Sequence, residues 1–284
     1  MSASPSADSP LQFRPAGEHE TNGLAHSSVR DPLGYGDGWL SLVEFDSELD
    51  PHPRGWSTPG SKRLVARVVQ LPPGQFNPQR LVEDPSGWLG LLVIDGLVLV
   101  QVAAGRAPIG WLVGADDLLR PWEMTEVSLL TTASWQALSP LHLALLDADF
   151  ARRVGGIGSI ADTLTAKAAQ TSHWLFAKSL VTGTSVIEER LLLLFALLGE
   201  RWGKATAAGV LVAMPLTHQV LATLVGARRP SVSTALRGLC VAGLLQRTTE
   251  GWLLCRTAPN GQPPRPRCWP QYAEALGLAL SQVR

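Results

Sequence analysis

The stretch from Leu216 to Leu254, reading LTHQVLATLVGARRPSVSTALRGLCVAGLLQRTTEGWLL, constrains this chain more than any other. Thr217 can cap a helix by accepting a bond from an otherwise unpaired first-turn N–H. Val220, Leu221, Leu224 and Val225 then recur at three- and four-residue steps and so share one face. Gly226 ends that helix, because glycine enters the left-handed region without a steric penalty. A second helix opens at Arg229, with Pro230 in its first turn, where a missing N–H costs nothing. Its apolar face is Val232, Ala235, Leu236 and Leu239, while Arg229, Ser231, Ser233, Thr234 and Arg237 lie on or near the other. After Gly243, Leu244 to Arg247 and Gly251 to Leu254 read as a hairpin around Thr248, Thr249 and Glu250. Two helices about a tight turn, followed by a wing, make a winged helix-turn-helix; the plainer alternative is a helical hairpin in some other α-rich core. A helix pinned by one side and offering arginines and hydroxyls on the other is suited to the DNA major groove.

Charge supports that reading locally rather than globally. The 284-residue chain carries 24 basic and 24 acidic side chains, so the molecule as a whole is not committed to nucleic acid. From Lys204 to Arg256, however, the bases are Lys204, Arg228, Arg229, Arg237, Arg247 and Arg256, against Glu250 alone. Positive charge gathered in one segment is the footprint of a module that displaces counterions from phosphates.

The run Leu-Val-Gly-Ala-Arg-Arg-Pro-Ser-Val-Ser-Thr-Ala-Leu-Arg-Gly-Leu, with Gly-Leu-Leu-Gln-Arg after it, resembles the DNA-binding end of the CRP/FNR superfamily of transcription regulators. The resemblance implies a β-roll of the cyclic-nucleotide-binding type, a central dimerisation helix and a carboxyl-terminal reading head. It places Arg229 where the family has an arginine that reads guanine through O6 and N7. Pro230 and Thr234 stand where a glutamate and a second arginine often lie, so the base sequence read is expected to differ from that of the cyclic-AMP receptor protein. Ser231, Ser233, Thr217, His218 and Gln219 are candidates for phosphate or base contacts, Gln219 being equally a solvated surface residue. Arg228, Arg237 and Arg247 are expected on phosphates.

Residues 1–35 are rich in Ser, Pro, Ala, Asp and His, without a sustained period, and read as a mobile arm. Residues 36–150 read as strands and turns: Leu64 to Leu71, Leu89 to Ile94, Leu97 to Val102, Ile109 to Val113, Val127 to Thr132 and Leu141 to Leu146. Asp95-Gly96 between two branched apolar runs predicts a hairpin there. Residues 151–183 hold a linker and a long helix from Ser159 to about Leu180, after a short helix over Leu146 to Val154. Ile157, Leu164, Thr171 and Lys178 fall at heptad spacing, with Ala161, Ala168 and Leu175 offset by four, and this seam is expected to pair with its copy. The alternative is a helix lying on its own roll. Residues 184–258 form the winged module, opened by a helix capped at Thr184 or Ser185, with Glu188 and Glu189 in its first turns and a buried run from Leu191 to Leu198. Residues 259–284 read as a tail with room for a short helix. The fold class is α+β: an amino-terminal jelly-roll-like β-roll, a long central dimerisation helix and a carboxyl-terminal winged helix-turn-helix.

The roll's own chemistry is less specific. A cyclic-nucleotide cradle needs a Gly-Glu-Leu turn and an arginine a few residues on, but the matching region, Gly114 to Glu126, carries Asp116, Asp117, Glu123 and Glu126 and should repel an anion. Arg120 and Trp122 are candidates to clamp a planar or acidic effector, with Trp122 as plain core filling the alternative. A metal-dependent cupin-type enzyme would need convergent imidazoles, and His52 and His142 form no such pair. Cys240, Cys255 and Cys268 suit neither a disulfide framework nor an amino-terminal iron–sulfur site, and His142 and His173 are weak haem ligand candidates. No enzymatic motif, metal site or cofactor is expected. The expected partners are double-stranded DNA, a second copy of the chain, RNA polymerase and an effector of unassigned identity, in the cytoplasm and away from membranes. The rival from another class is a non-catalytic small-molecule-binding or interaction protein that has lost DNA affinity.

Overall fold

The computed structural model describes residues 37–41, 65–82, 84–103, 108–126, 133–154 and 158–256. Among the described residues nine strands come first: β1 (Asp37–Ser41), β2 (Val65–Leu71), β3 (Gly74–Phe76), β4 (Gly90–Asp95), β5 (Leu97–Val102), β6 (Ile109–Gly114), β7 (Leu118–Leu119), β8 (Ser134–Ala137) and β9 (Leu141–Leu146). They form two antiparallel sheets, ordered β1-β2-β9-β4-β7 and β3-β8-β5-β6. Val69, Leu91, Val93, Leu141, Leu143 and Leu145 of the first sheet pack against Val98, Val100, Val113, Trp135 and Ala137 of the second. The outer faces are covered too. Ala66, Val68, Leu92, Ala144 and Leu146 of the first sheet meet Phe150 and Val154 of α1 (Ala148–Val154). Leu97, Leu99 and Leu112 of the second join the core of the carboxyl-terminal helices. Sheets buried on both faces need unbroken apolar runs rather than alternation, which is why GLLVID and LVLVQV read as they do.

Asp95-Gly96 is not a hairpin turn. β4 pairs with β9 and β7, whereas β5 pairs with β6 and β8, so the dipeptide is the corner where the chain leaves one sheet for the other. Gly96 has φ +101, and a Cβ there would lie 2.4 Å from the Pro140 carbonyl oxygen. The same positive φ that serves a two-residue turn serves this corner, and only the strand partners distinguish them. The expected strand Val127 to Thr132 lies outside the described residues, as do the amino-terminal arm and the carboxyl-terminal tail.

After α1 come α2 (Gly158–Gly183) and α3 (Ile187–Trp202). Val186, not Thr184 or Ser185, is the N-cap of α3, and it makes no side-chain cap bond. The Thr184 hydroxyl is turned back to close the preceding helix, donating to the carbonyls of Leu180 at 3.2 Å and Val181 at 2.8 Å. Leu191, Leu192, Leu194, Phe195, Ala196 and Leu198 are buried as the all-round apolar run requires. A second four-stranded sheet, β10 (Lys204–Thr206), β11 (Gly209–Val212), β12 (Leu245–Arg247) and β13 (Trp252–Cys255), runs in the order β10-β11-β13-β12 and brackets α4 (His218–Val225) and α5 (Arg229–Val241). The wing expected as a hairpin is thus half of a larger sheet.

The proposed dimer seam is corrected by the packing of α2. Lys178 is 7% exposed, and Thr171 bonds to Asp117 of the roll, so both face inward. Thr171, Trp174, Lys178 and Val181, at steps of three, four and three, form the side that meets the chain's own core. Exposed apolar side chains lie round the other side at Leu175, Phe176 and Leu180. Ala168 is exposed, while Ile157 and the side chains of Ala161 and Leu164 are outside the described set. Lys178 enters the core because its long aliphatic stem covers apolar surface.

Candidate nucleic-acid interface

Local chemistry builds the reading head. Thr217 is the N-cap of α4, its hydroxyl accepting from the Val220 N–H at 3.2 Å. Gly226 ends the helix in the left-handed region at φ 63, ψ 41, its N–H directed to the Ala222 and Thr223 carbonyls. The Val225 carbonyl, left over at that terminus, accepts from Arg190 Nη1 of α3 at 3.0 Å, while Arg190 Nε donates to the Thr184 carbonyl at 2.6 Å. One guanidinium therefore ties the start of α3 to the helix turn.

The burial pattern of α5 divides it cleanly. Val232, Ala235, Leu236 and Leu239 are buried, and Arg229, Pro230, Ser231, Thr234 and Arg237 are exposed. Two of the hydroxyls are already used. The Ser233 hydroxyl lies 2.9 Å from His218 Nδ1, bracing α4 against α5, and the Thr234 hydroxyl donates to the Pro230 carbonyl at 3.2 Å. Ser233 and His218 therefore shape the surface, while Ser231 stands open on it. Arg228, before α5, is exposed.

A cleft of 720 Å³ lies where the helix starts and the wing converge, lined by Leu216, Thr217, His218, Gln219, Arg229, Arg247 and Trp252. It brings five of the sequence-predicted residues together. Arg228, Ser231, Thr234 and Arg237 lie outside it, on or just before the exposed side of α5. The residue that sequence reasoning missed is Trp252. Its indole N–H donates to the Leu216 carbonyl at 3.2 Å, and its ring lies 5.6 Å from Phe195, 6.2 Å from His218 and 5.0 Å from the Arg247 guanidinium. Trp252 holds the wing arginine over the cleft by a cation–π contact. The signal in the sequence was only an aromatic at the head of the last strand, opposite Arg247 in the pairing of β12 with β13.

The acidic turn between β6 and β7 is used differently from the expectation. Asp116 accepts from Lys167 Nζ of α2 at 2.8 Å. Asp117, 2% exposed, pairs with Arg201 of α3 and accepts from the Gly114 N–H at 2.9 Å and the Thr171 hydroxyl at 3.4 Å. Burial pushes the Asp117 carboxyl above its ordinary range, against the pull of Arg201 and the Gly114 N–H. Glu123 pairs with Arg120 at 2.5 Å, both about half exposed. The side chain of Glu126 is not described. Arg120 does lie over Trp122, at 5.8 Å, but Trp122 also makes an edge contact with Trp88 and packs on the roll core. An acidic effector at Arg120 must displace Glu123. Among the described residues no group of three or more His, Cys, Asp or Glu is placed to hold a metal. His142 lies 3.9 Å from Asp95, and His173 is exposed on α2. No described helix is long and apolar enough to cross a membrane.

Residues 189–257 match the model of the Crp-like helix-turn-helix domain. A cyclic nucleotide-binding domain containing protein from Listeria monocytogenes EGD-e is similar over 66% of this chain and 88% of its own, with a TM-score of 0.55 and 16% identity. The chain has the fold of that protein, with a Crp-like helix-turn-helix domain at its carboxyl-terminal end. FixK2 from Bradyrhizobium japonicum is similar over 71% of this chain and 99% of its own, with a TM-score of 0.50 and 16% identity. No curated protein matches the chain. At these identities the likeness establishes the fold alone, a β-roll, a central helix and a helix-turn-helix domain, and the residues above carry any argument about chemistry.

Proposed function

We propose that this protein is a sequence-specific DNA-binding transcription regulator that meets a two-fold-related operator as a homodimer. The observation that carries the reading is the division of α5, with four apolar side chains buried and Arg229, Ser231, Thr234 and Arg237 exposed beside a cleft edged by Arg247. α5 enters the major groove, and Arg229, in its first turn, donates two bonds to O6 and N7 of a guanine. Arg228, Arg237 and Arg247 sit on phosphates, with Thr217 and Gln219 at the helix start reaching the same strand. His218 and Ser233 support the surface from beneath. RNA polymerase is the further partner that such a regulator would meet on DNA.

The second copy seats on the outward side of α2. Phe176 is 71% exposed and Leu180 60%, and removal of such side chains from water favours association at about 25 cal/mol per Å² of apolar area. Ala169 and Ser172 on the same side are small enough for two helices to approach closely. Control is proposed through an effector other than a cyclic nucleotide. What supports this is the turn after β6, where Asp116, Asp117 and Arg120 bond to the chain's own charged groups and leave, among the described residues, no free cation for a phosphate there. The direct test is retention on duplex DNA as salt is raised. A linear fall of log affinity with log salt, together with selection of a symmetric sequence from a random pool, is the expected result. No duplex affinity at low salt would leave an interaction module instead.

A further inference from the structure

Three bodies of the molecule meet at one carboxylate. Asp117 belongs to the β6–β7 turn of the roll, Thr171 to the central helix α2 and Arg201 to the last turn of α3, which is built into the core of the reading head. The Arg201 guanidinium also lies between two indoles, 5.1 Å from the Trp174 ring of α2 and 4.4 Å from the Trp202 ring of α3, and those rings meet edge-on at 5.6 Å. The roll comes equally close: a Cβ on Gly114 would lie 2.9 Å from the Trp202 ring, so glycine is what lets the turn touch the helix.

We propose that Asp117 is the positioning residue of this protein: through Arg201 it clamps the far end of α3 to the roll and so sets the angle at which α5 is presented to DNA. The lever is geometric. At its near end α3 is tied at Thr184 and Val225 by Arg190, and the exposed Ser185 and Val186 after Thr184 are the hinge. The far end is tied to Asp117 by Arg201, fourteen residues after Ile187 and so about 21 Å along the helix. The remaining contacts between head and roll, Leu97, Leu99 and Leu112 in the core of the carboxyl-terminal helices and the Thr223 methyl of α4 against Gly110 of β6, are apolar and carry no directional bond to hold an angle. A small shift at Arg201 is therefore converted into a rotation of everything that follows it, α5 included.

Two further features suit a clamp that opens. The pair is screened from water, Asp117 at 3% and Arg201 at 13% side-chain exposure, so neither partner is readily replaced by solvent while it is closed. Yet Trp174 Nε1 and Arg201 Nη1 are buried without an acceptor among the described residues, so a second arrangement that supplied one would not first have to break a bond of theirs. Lys167 on Asp116 and Thr171 on Asp117 link the same turn to α2, so a shift of the central helix acts on the clamp directly.

The inference rests on the DNA-binding reading for its consequence but not for its first measurement. Asp117→Asn keeps an acceptor for the Gly114 N–H and removes the charge; Arg201→Gln removes it from the other side. Small-angle scattering and limited proteolysis of the full chain without DNA come first. Each variant should give a broadened, larger particle and faster cleavage at Ser185 and Val186, and the double variant should do no more than either alone. On an operator selected by the wild type, each should lose about tenfold or more in affinity while binding to random duplex stays within about twofold. Unchanged scattering and cleavage in both variants would overturn the clamp, as would additive losses or equal weakening on operator and random DNA. If both substitutions unfold the whole chain, the pair is general core and the proposal also fails. A wild type without duplex affinity, but with the scattering change intact, would sink the DNA reading alone.

Discussion

Arg229 and Lys178 show how much one side chain can decide. Arg229 is exposed at the first turn of α5, and a bidentate guanine contact is worth about 1–3 kcal/mol of discrimination. Arg229→Ala should weaken operator binding by that amount and relax preference at one base position, read by titration against the operator and its single-base variants. Arg247→Ala should weaken all sequences alike and lower the salt slope by about one. Lys178 is 7% exposed, and burial pulls its amine down from 10.5 to about 8. Below pH 8 it is charged in both folded and unfolded chains, and its burial costs stability, on the order of 3 kcal/mol. Between pH 8 and 10.5 the unfolded chain holds a proton that the folded chain has released, so stability rises with pH. Lys178→Met should raise the midpoint of urea unfolding at pH 7 and flatten that rise. A less stable variant would mean that the ammonium has a partner in solution.

At the scale of single elements, α2 and the turn after α4 carry opposite kinds of information. Phe176 on the outward side of α2 is 71% exposed, and Phe176→Asp should dissociate the proposed dimer in sedimentation equilibrium without lowering monomer stability. Wild-type protein that sediments as a monomer at working concentrations would remove the proposed seat. Gly226 needs its left-handed backbone but not its small size, since the nearest atom to an added Cβ would be 3.8 Å away. Gly226→Ala should therefore cost about 1–2 kcal/mol of unfolding free energy, through backbone strain alone. The chemistry of this turn was legible in advance: Thr217, Gly226 and Pro230 act through bonds and torsions within a few residues. The inner side of α2 was not. Thr171 and Lys178 sit on the face that a heptad count assigned to a partner helix, because an apolar period says that a face is covered and not by what. Thr171 is drawn inward by Asp117, fifty-four residues away in sequence.

Across the whole molecule, roll and head share one hydrophobic cluster, in which Leu97, Leu99 and Leu112 of the second sheet join α3, α4 and α5. The reading head is thus docked on the roll and not merely tethered to it. Gly114→Ala, which drives a methyl into the Trp202 ring, should loosen that docking and show two thermal transitions in calorimetry where the wild type shows one. A single transition in both proteins would place the tolerance in the Trp202 side chain.

The amino-acid sequence alone determined the helix-turn-helix, the wing and the exposed basic side of α5, since their caps, glycine torsions and 3.6-residue period act between residues a few positions apart. It also announced strands in the amino-terminal half, through runs that are apolar on both faces. Only the tertiary structure decided that Asp95-Gly96 turns a corner between sheets, that the acidic turn after β6 holds Lys167 and Arg201 and not a bare negative surface, and that Trp252 organises the cleft. Each of those depends on which residues far apart in the chain become neighbours. The strength of a charge or an aromatic ring is then set by the partner it meets and the water it loses.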